Sequence, residues 1–255
     1  MATFPPPGEI LVVSPHLDDA ALSCDVLLAR DEPTDVLTVF AGTPDPPRRG
    51  FWDATCGFRD SAESMRVRKR EEQAALAGDA RRLLFLDLLD GQYVEGSRGA
   101  VDADPIVQAV ANWVEVARAG TVALPAGAGS APSPWHRITA LFGRSGGPEP
   151  HADHLFVRDV VLRSVRPQRA VILYEELPYS WGGRADRAAS RAATANGYGV
   201  TPVEAAVDPA RKAARISAYA SQIPHLSPPS RRLDDPRVLP PVERYWRLEA
   251  AERRG

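Results

Sequence analysis

Ile10-Leu11-Val12-Val13-Ser14-Pro15-His16-Leu17-Asp18-Asp19 is the stretch on which the reading of this chain turns. The apolar run Ile10 to Val13 predicts a short buried strand, which Ser14-Pro15 ends. One imidazole and two carboxylates follow within four residues, directly before a helical pattern through Ala20, Ala21, Leu22, Val26, Leu27 and Leu28. Open α/β sheets keep their active sites at the carboxyl ends of strands, just before the next helix. Histidine beside aspartate suits a borderline divalent cation such as zinc. A second carboxylate next to the ligands suits a general base acting on water. The competing reading is plain helix capping by Asp18 or Asp19, with His16 an ordinary loop histidine.

A second cluster weighs against capping alone. His151-Ala152-Asp153-His154 also opens a helical pattern, through Leu155, Phe156, Val157, Val160, Val161 and Leu162. Three of the five histidines fall in these two clusters, each at the start of a helix.

Taken together, His-x-Asp-Asp after the first strand and His-x-Asp-His later resemble the PIG-L/LmbE family of metal-dependent N-deacetylases. Other segments agree with that resemblance. Arg68-Lys69-Arg70-Glu71-Glu72 looks like the family's Arg-x-x-Glu helix, and Phe85 to Gly91 looks like its third strand with a terminal Asp. Tyr174 to Tyr179 and Ala218 to Gln222 resemble later segments of one branch, so the likeness runs from about Glu9 to Gln222. It implies that His16, Asp19 and His154 hold zinc, with another divalent cation such as Fe2+ as the alternative. It implies that Asp18 is the general base. His151 would stabilise the oxyanion or protonate the leaving amine, and Asp153 would orient and charge that imidazole. Arg68 and Asp90 would hold the substrate. The residue-level alternatives are an ion pair of Arg68 with Glu71 or Glu72, and a turn role for Asp90 before Gly91.

The implied activity is removal of an N-acyl group, acetyl first, from an amino sugar or glycoside. Two alternatives are an amidase acting on a thiol-sugar conjugate or other N-acyl small molecule, and a degenerate sugar-binding protein. A homo-oligomer fits the family's habit. The chain departs from the pattern in places: Leu17 stands where Pro is common, Ala20 where Glu is common, and the region just before His151 has Glu149 and no Tyr. Proton delivery to the amine would then rest on His151 or on an inserted residue such as His136, which otherwise reads as a surface histidine.

Composition bounds the rest. At 255 residues, 44% hydrophobic and 25% charged, the chain suits one large α/β domain with a proper core. A net charge of −2 offers no basic field for nucleic acid. No stretch approaches the roughly 18 apolar residues that span a bilayer, and Met1 to Gly8 lacks the pattern of a signal peptide, so a cytoplasmic enzyme is expected. Cys24 and Cys56 are too few for a disulfide framework or a cysteine metal site.

The expected architecture is a single Rossmann-like α/β domain over residues 1–255, its mostly parallel sheet covered by helices on both faces. Strands are expected at Glu9–Ser14, Asp35–Ala41, Ala80–Leu88, Thr121–Leu124 and Arg169–Glu175, with an edge strand over Tyr198–Val207. Helices are expected at Asp18–Arg30, Ser61–Ala77, Asp104–Ala119, His151–Val165, Arg184–Ala195 and Pro209–Ala220. Residues 1–8 read as a loose lead-in and 223–255 as a proline-rich, charged wrap over the surface. Gly42–Asp60 reads as a long loop whose Phe51, Trp52 and Phe58 either pin it down or stack on substrate. The Gly/Ser/Pro-rich insertion at 126–150, just before His151, suits a lid over the cleft.

Overall fold

The computed structural model describes residues 4–78, 81–117, 120–127, 151–165, 170–179, 185–228 and 231–250. The expected lid at 130–150 and His136 lie outside the described residues. One seven-stranded sheet runs through the structure in the order β3-β2-β1-β4-β5-β7-β6. Its strands are β1 (Ile10–Ser14), β2 (Thr34–Thr38), β3 (Leu83–Phe85), β4 (Thr121–Pro125), β5 (Ala170–Tyr174), β6 (Tyr198–Ala206) and β7 (Val242–Ala250). The first five are parallel, and β1 lies at the centre with Ile10 opposite both Thr34 of β2 and Thr121 of β4.

Every residue of β1, β2 and β4 is buried, as continuous apolar strands covered on both faces require. Alternation along β1 divides the core. Leu11 and Val13 pack with helices α5 (Ala100–Val116), α6 (Ala152–Ser164) and α7 (Ala185–Ala195). Ile10 and Val12 pack in a second cluster with α1 (Asp19–Ser23), α2 (Asp25–Leu28), α8 (Pro209–Ile216) and α9 (Ile223–Leu226).

Three elements differ from expectation. The helix expected over Asp18–Arg30 is broken at Cys24 into α1 and α2. The freed amides of Asp25 and Val26 donate to the Glu243 carboxylate at 2.8 and 2.9 Å, so a residue far along the chain caps the second piece. Inside the expected loop 42–60 a short helix, α3 (Phe51–Thr55), forms where Asp53 accepts from Gly50 N–H (2.8 Å) and from the Tyr93 hydroxyl. The largest difference is at the C-terminus. Val242–Ala250 does not wrap the surface; it enters the sheet between β5 and β6, antiparallel to both. Tyr245 faces one core cluster while Trp246 and Leu248 face the other. Its alternating charges made it read as tail, but Glu243 is buried against Lys212. The lead-in is also partly held, since Phe4 packs on Tyr245 with ring centroids 4.7 Å apart.

Helix α4 (Ser61–Ala75) starts at Asp60, whose side chain accepts from Glu63 N–H. It carries Arg68 and Glu72, both buried, beneath the carboxyl end of the sheet. Among the described residues, no helix is long and apolar enough to cross a membrane.

Candidate metal centre and cleft

The turn after β1 is built by its own side chains. Ser14 Oγ donates to His16 O (2.8 Å) and accepts from Ala20 N–H (3.1 Å), folding Pro15–Asp19 back on itself. His16 N–H donates to Asp19 Oδ2 at 2.8 Å. Asp18 stands at the N-cap position of α1, yet its side chain makes no capping bond. Its φ is 145°, and it is the one non-glycine residue with positive φ among the described residues. Backbone strain of this kind is kept where a side chain must be aimed. Capping therefore does not explain Asp18.

The two histidine clusters converge. His16 Nδ1 lies 3.2 Å from His154 Nε2 and 3.4 Å from Asp19 Oδ2, and His154 Nε2 lies 3.4 Å from the same oxygen. Ligands of a tetrahedral zinc at about 2.0–2.1 Å stand about 3.3–3.4 Å from one another. Two ring nitrogens and a carboxylate oxygen at these separations fit a divalent cation in both chemistry and spacing. Each ring is oriented from behind by a carboxylate: Asp153 Oδ2 at 3.1 Å from His16 Nε2, and Glu176 Oε1 at 2.8 Å from His154 Nδ1. A second grouping, His16 with His151 and Asp153, is also compact. There the carboxylate is already matched by the Arg98 guanidinium at 2.8 Å, which leaves no charge for a cation to neutralise.

Electrostatics follow from this packing. Burial works against charge on Asp19, but the His154 and His16 rings beside it hold the carboxyl well below the usual range. Asp153 is likewise held low, with the bond to His16 and the charge of Arg98 overcoming burial. Burial opposes protonation of His16 and His154 too, yet the surrounding carboxylates raise both. Burial pushes the Asp18 carboxyl up to about 7, Arg68 pulling against the rise and Asp19 adding to it. His151 moves the other way, to about 3, through burial and the neighbouring His16 and His154 rings.

The Asp153 carboxylate, expected to face His151, makes its hydrogen bonds elsewhere. It bonds to His16, Arg98 and Gly91, and its charge on His151 is outweighed. The only hydrogen bond between the pair runs from Asp153 N–H to His151 Nδ1, at 3.3 Å.

A cleft of about 300 Å³ opens over the centre, with His16, Asp18, Arg68, Asp90, His151 and Tyr179 among its walls. Arg68 is not a surface ion pair: it is 3% exposed, 3.5 Å from Asp18 and 3.7 Å from Asp90. Its helical neighbours are engaged elsewhere, Glu71 with Ser221 and Glu72 with Tyr219 and Thr38. Asp90 makes the turn contact, Oδ1 accepting from Gln92 N–H in the 3-10 turn, while Oδ2 lies 3.7 Å from Arg68 on the cleft wall. At the mouth, Trp52 is pinned by its Nε1–H to Gln222 Oε1 (2.7 Å), whereas Phe51 is 56% exposed. Pinning thus holds for Trp52 and leaves Phe51 open to a ligand. Phe58 is buried.

Three residues were missed in the sequence. Glu176 follows β5 at the same sheet edge as His16, a placement that would have marked it. Tyr179 packs edge-on to His154, with ring centroids 5.4 Å apart. Arg98 sits in a turn segment that carries no pattern of its own.

Residues 11–165 match the family model described as PIG-L, GlcNAc-PI de-N-acetylase, a span that holds all three cation-facing donors and Asp18. The chain belongs to this family. It is 33% identical over 194 residues to a 2'-N-acetylparomamine deacetylase of Streptomyces fradiae, an overlap that covers 68% of this chain. The match spans 58% of that relative's length. Among solved structures, it resembles the zinc-inhibited form of teicoplanin deacetylase Orf2, with a TM-score of 0.68 at 20% identity over 96% of this chain and 99% of the other. It also resembles the A40926 pseudoaglycone deacetylase Dbv21, with a TM-score of 0.67 at 23% identity over 94% and 97%. These two likenesses establish the LmbE-like α/β fold.

Proposed function

We propose that this PIG-L family chain is a zinc-dependent N-deacetylase that hydrolyses the acetamide of an amino sugar within a glycoside. The observation that carries this is the triangle of His16 Nδ1, Asp19 Oδ2 and His154 Nε2, with Asp18 free of any capping duty beside it. A divalent cation held there supplies a Lewis acid for the amide oxygen and acidifies a water. Asp18 takes the proton of the attacking water and returns one to the nitrogen as the C–N bond breaks, giving acetate and a free amine. His151 is neutral at physiological pH and its Nδ1 faces the Asp153 amide, so its proton sits on Nε2, the atom left to donate to the oxyanion. Arg68 holds Asp18 and Asp90 in place, and Asp90 meets sugar hydroxyls. Asp153 acts on His16 rather than on substrate.

The glycoside is favoured over a free monosaccharide by the exposed Phe51 and by Leu226 at the cleft mouth, which extend apolar surface beyond the polar floor. The acetylated aminoglycoside named for the Streptomyces relative is of this class. The test is amine release from N-acetylated aminoglycosides and from N-acetylglucosamine, with zinc or Fe2+ restored to stripped protein. Cation-dependent release, faster on the glycosides, is expected. Binding of the glycosides with no amine released under either metal would replace the enzyme with a sugar-binding protein.

A further inference from the structure

We propose that Arg98 is a positioning residue for the metal centre, acting through Asp153 to fix which ring nitrogen His16 presents to the cation. The proposal rests on the His16, Asp19 and His154 centre described above. Arg98 is itself fixed on several sides. Its guanidinium lies 3.8 Å over the Phe40 ring, Nη2 donates to Leu89 O at 2.8 Å, and Nη1 stands 3.7 Å from Asp102. From there Nε donates to Asp153 Oδ1 at 2.8 Å. The other oxygen, Oδ2, accepts from Gly91 N–H at 2.9 Å and meets His16 Nε2 at 3.1 Å. A Cβ on residue 91 would stand 2.9 Å from Oδ2, so this approach needs glycine.

The consequence is a choice of tautomer. An ionised carboxylate has lone pairs and no proton to give, so the hydrogen in the His16–Asp153 bond belongs to Nε2. His16 Nδ1 is then left with its lone pair toward Asp19 Oδ2 and His154 Nε2. Arg98, bonded to Oδ1, holds the carboxylate with Oδ2 turned to His16. Two effects of Arg98 oppose each other. Its positive charge repels a nearby cation, while its grip on Asp153 orients a ligand. Partners of this kind typically change metal affinity by about 10- to 100-fold, so orientation is expected to win.

The test is zinc affinity of the stripped full chain, measured in competition with a chromophoric chelator. The variants are Arg98→Met, Arg98→Lys, Asp153→Asn and the Arg98→Met/Asp153→Asn double, with His154→Ala as the control for the site. Arg98→Met is expected to weaken zinc binding about 10-fold or more, and Arg98→Lys to recover part of the loss. In the Asp153→Asn background the Arg98 change should have little further effect, because both act along one path. Unchanged or tighter binding in Arg98→Met would overturn the proposal, as would losses that simply add in the double variant. If Arg98→Met does not fold, Arg98→Lys decides: it keeps the charge and loses the fork, and wild-type affinity in it would sink the idea. A wild-type chain that takes up no zinc, or that binds as well after His154→Ala, overturns the metal reading and this proposal together.

Discussion

Among the described residues, two clusters of buried charge are put together differently. Around the carboxyl end of β1, His16, Asp18, Asp19 and His154 are buried with Glu176 and Asp153 behind the rings. Where β7 enters the sheet, Asp25, Lys212 and Glu243 are buried as well. In the second cluster every acceptor meets a donor. Glu243 takes Lys212 Nζ (2.7 Å), the Tyr245 hydroxyl and two backbone amides, and Asp25 is gripped by Arg211 and Arg215. In the first, two ring nitrogens and a carboxylate oxygen face one point at 3.2–3.4 Å, the spacing of ligands around a small cation. A closed network holds structure together. A network left open on one side calls for a cation.

The largest separation between the clusters is expected at Asp18. Asp18→Asn keeps the shape and removes the base, so turnover should fall by about 10²- to 10⁴-fold. Zinc content and melting temperature should stay close to wild type, because Asp18 is neither one of the cation-facing donors nor a cap. Steady-state rates with metal analysis on the same preparation make the check. A variant that keeps wild-type turnover would show that another group takes the water's proton.

The opposite signature is expected at Lys212. Lys212→Met strands the Glu243 carboxylate in a site that is 5% exposed, and breaking a buried pair from one side costs about 3–5 kcal/mol. That is a large share of the roughly 5–15 kcal/mol that holds a domain folded. Denaturant titration of the zinc-stripped chain should record the loss, while zinc affinity of the folded fraction is unchanged. Adding Glu243→Gln should restore part of the stability. If zinc affinity fell with Lys212→Met, the two clusters would be coupled and the contrast drawn here would fail.

The two regions were also unequally legible. Strand one and both histidine clusters stood out because continuous apolar runs mark buried parallel strands and because His and Asp at helix starts are chemically conspicuous. The five parallel strands and the edge strand β6 were accordingly placed near their observed positions. β7 was hidden, since Val242-Glu243-Arg244-Tyr245-Trp246-Arg247 reads as charged tail until Lys212 is known to neutralise Glu243. The break at Cys24 was hidden for the same reason: its cause is a carboxylate more than two hundred residues away. Adjacency in sequence paired Asp153 with His151, whereas in the fold its carboxylate bonds to Arg98, Gly91 and His16.

Glu72 stands between the two kinds of network and gives the smallest, pH-limited effect. It is fully buried under the sheet edge and accepts from the Tyr219 hydroxyl (2.6 Å) and Thr38 Oγ1 (3.1 Å). No cation pairs with it among these contacts, and burial pushes its carboxyl up to about 8, with Tyr219 pulling against the shift. Between its unfolded value near 4.5 and about 8 the folded chain keeps a proton that the unfolded chain has lost. More protons bound in the folded state mean that stability falls as pH rises through that window, and is lowest above it. Glu72→Gln cannot ionise, and its amide oxygen can still accept from Tyr219. Zinc-stripped wild type and variant should therefore melt at similar temperatures at pH 5, and the variant should be the more stable, by up to a few kcal/mol, at pH 8.5. Parallel curves across that range would mean that Glu72 is charged throughout, and that this carboxylate too belongs to a closed network.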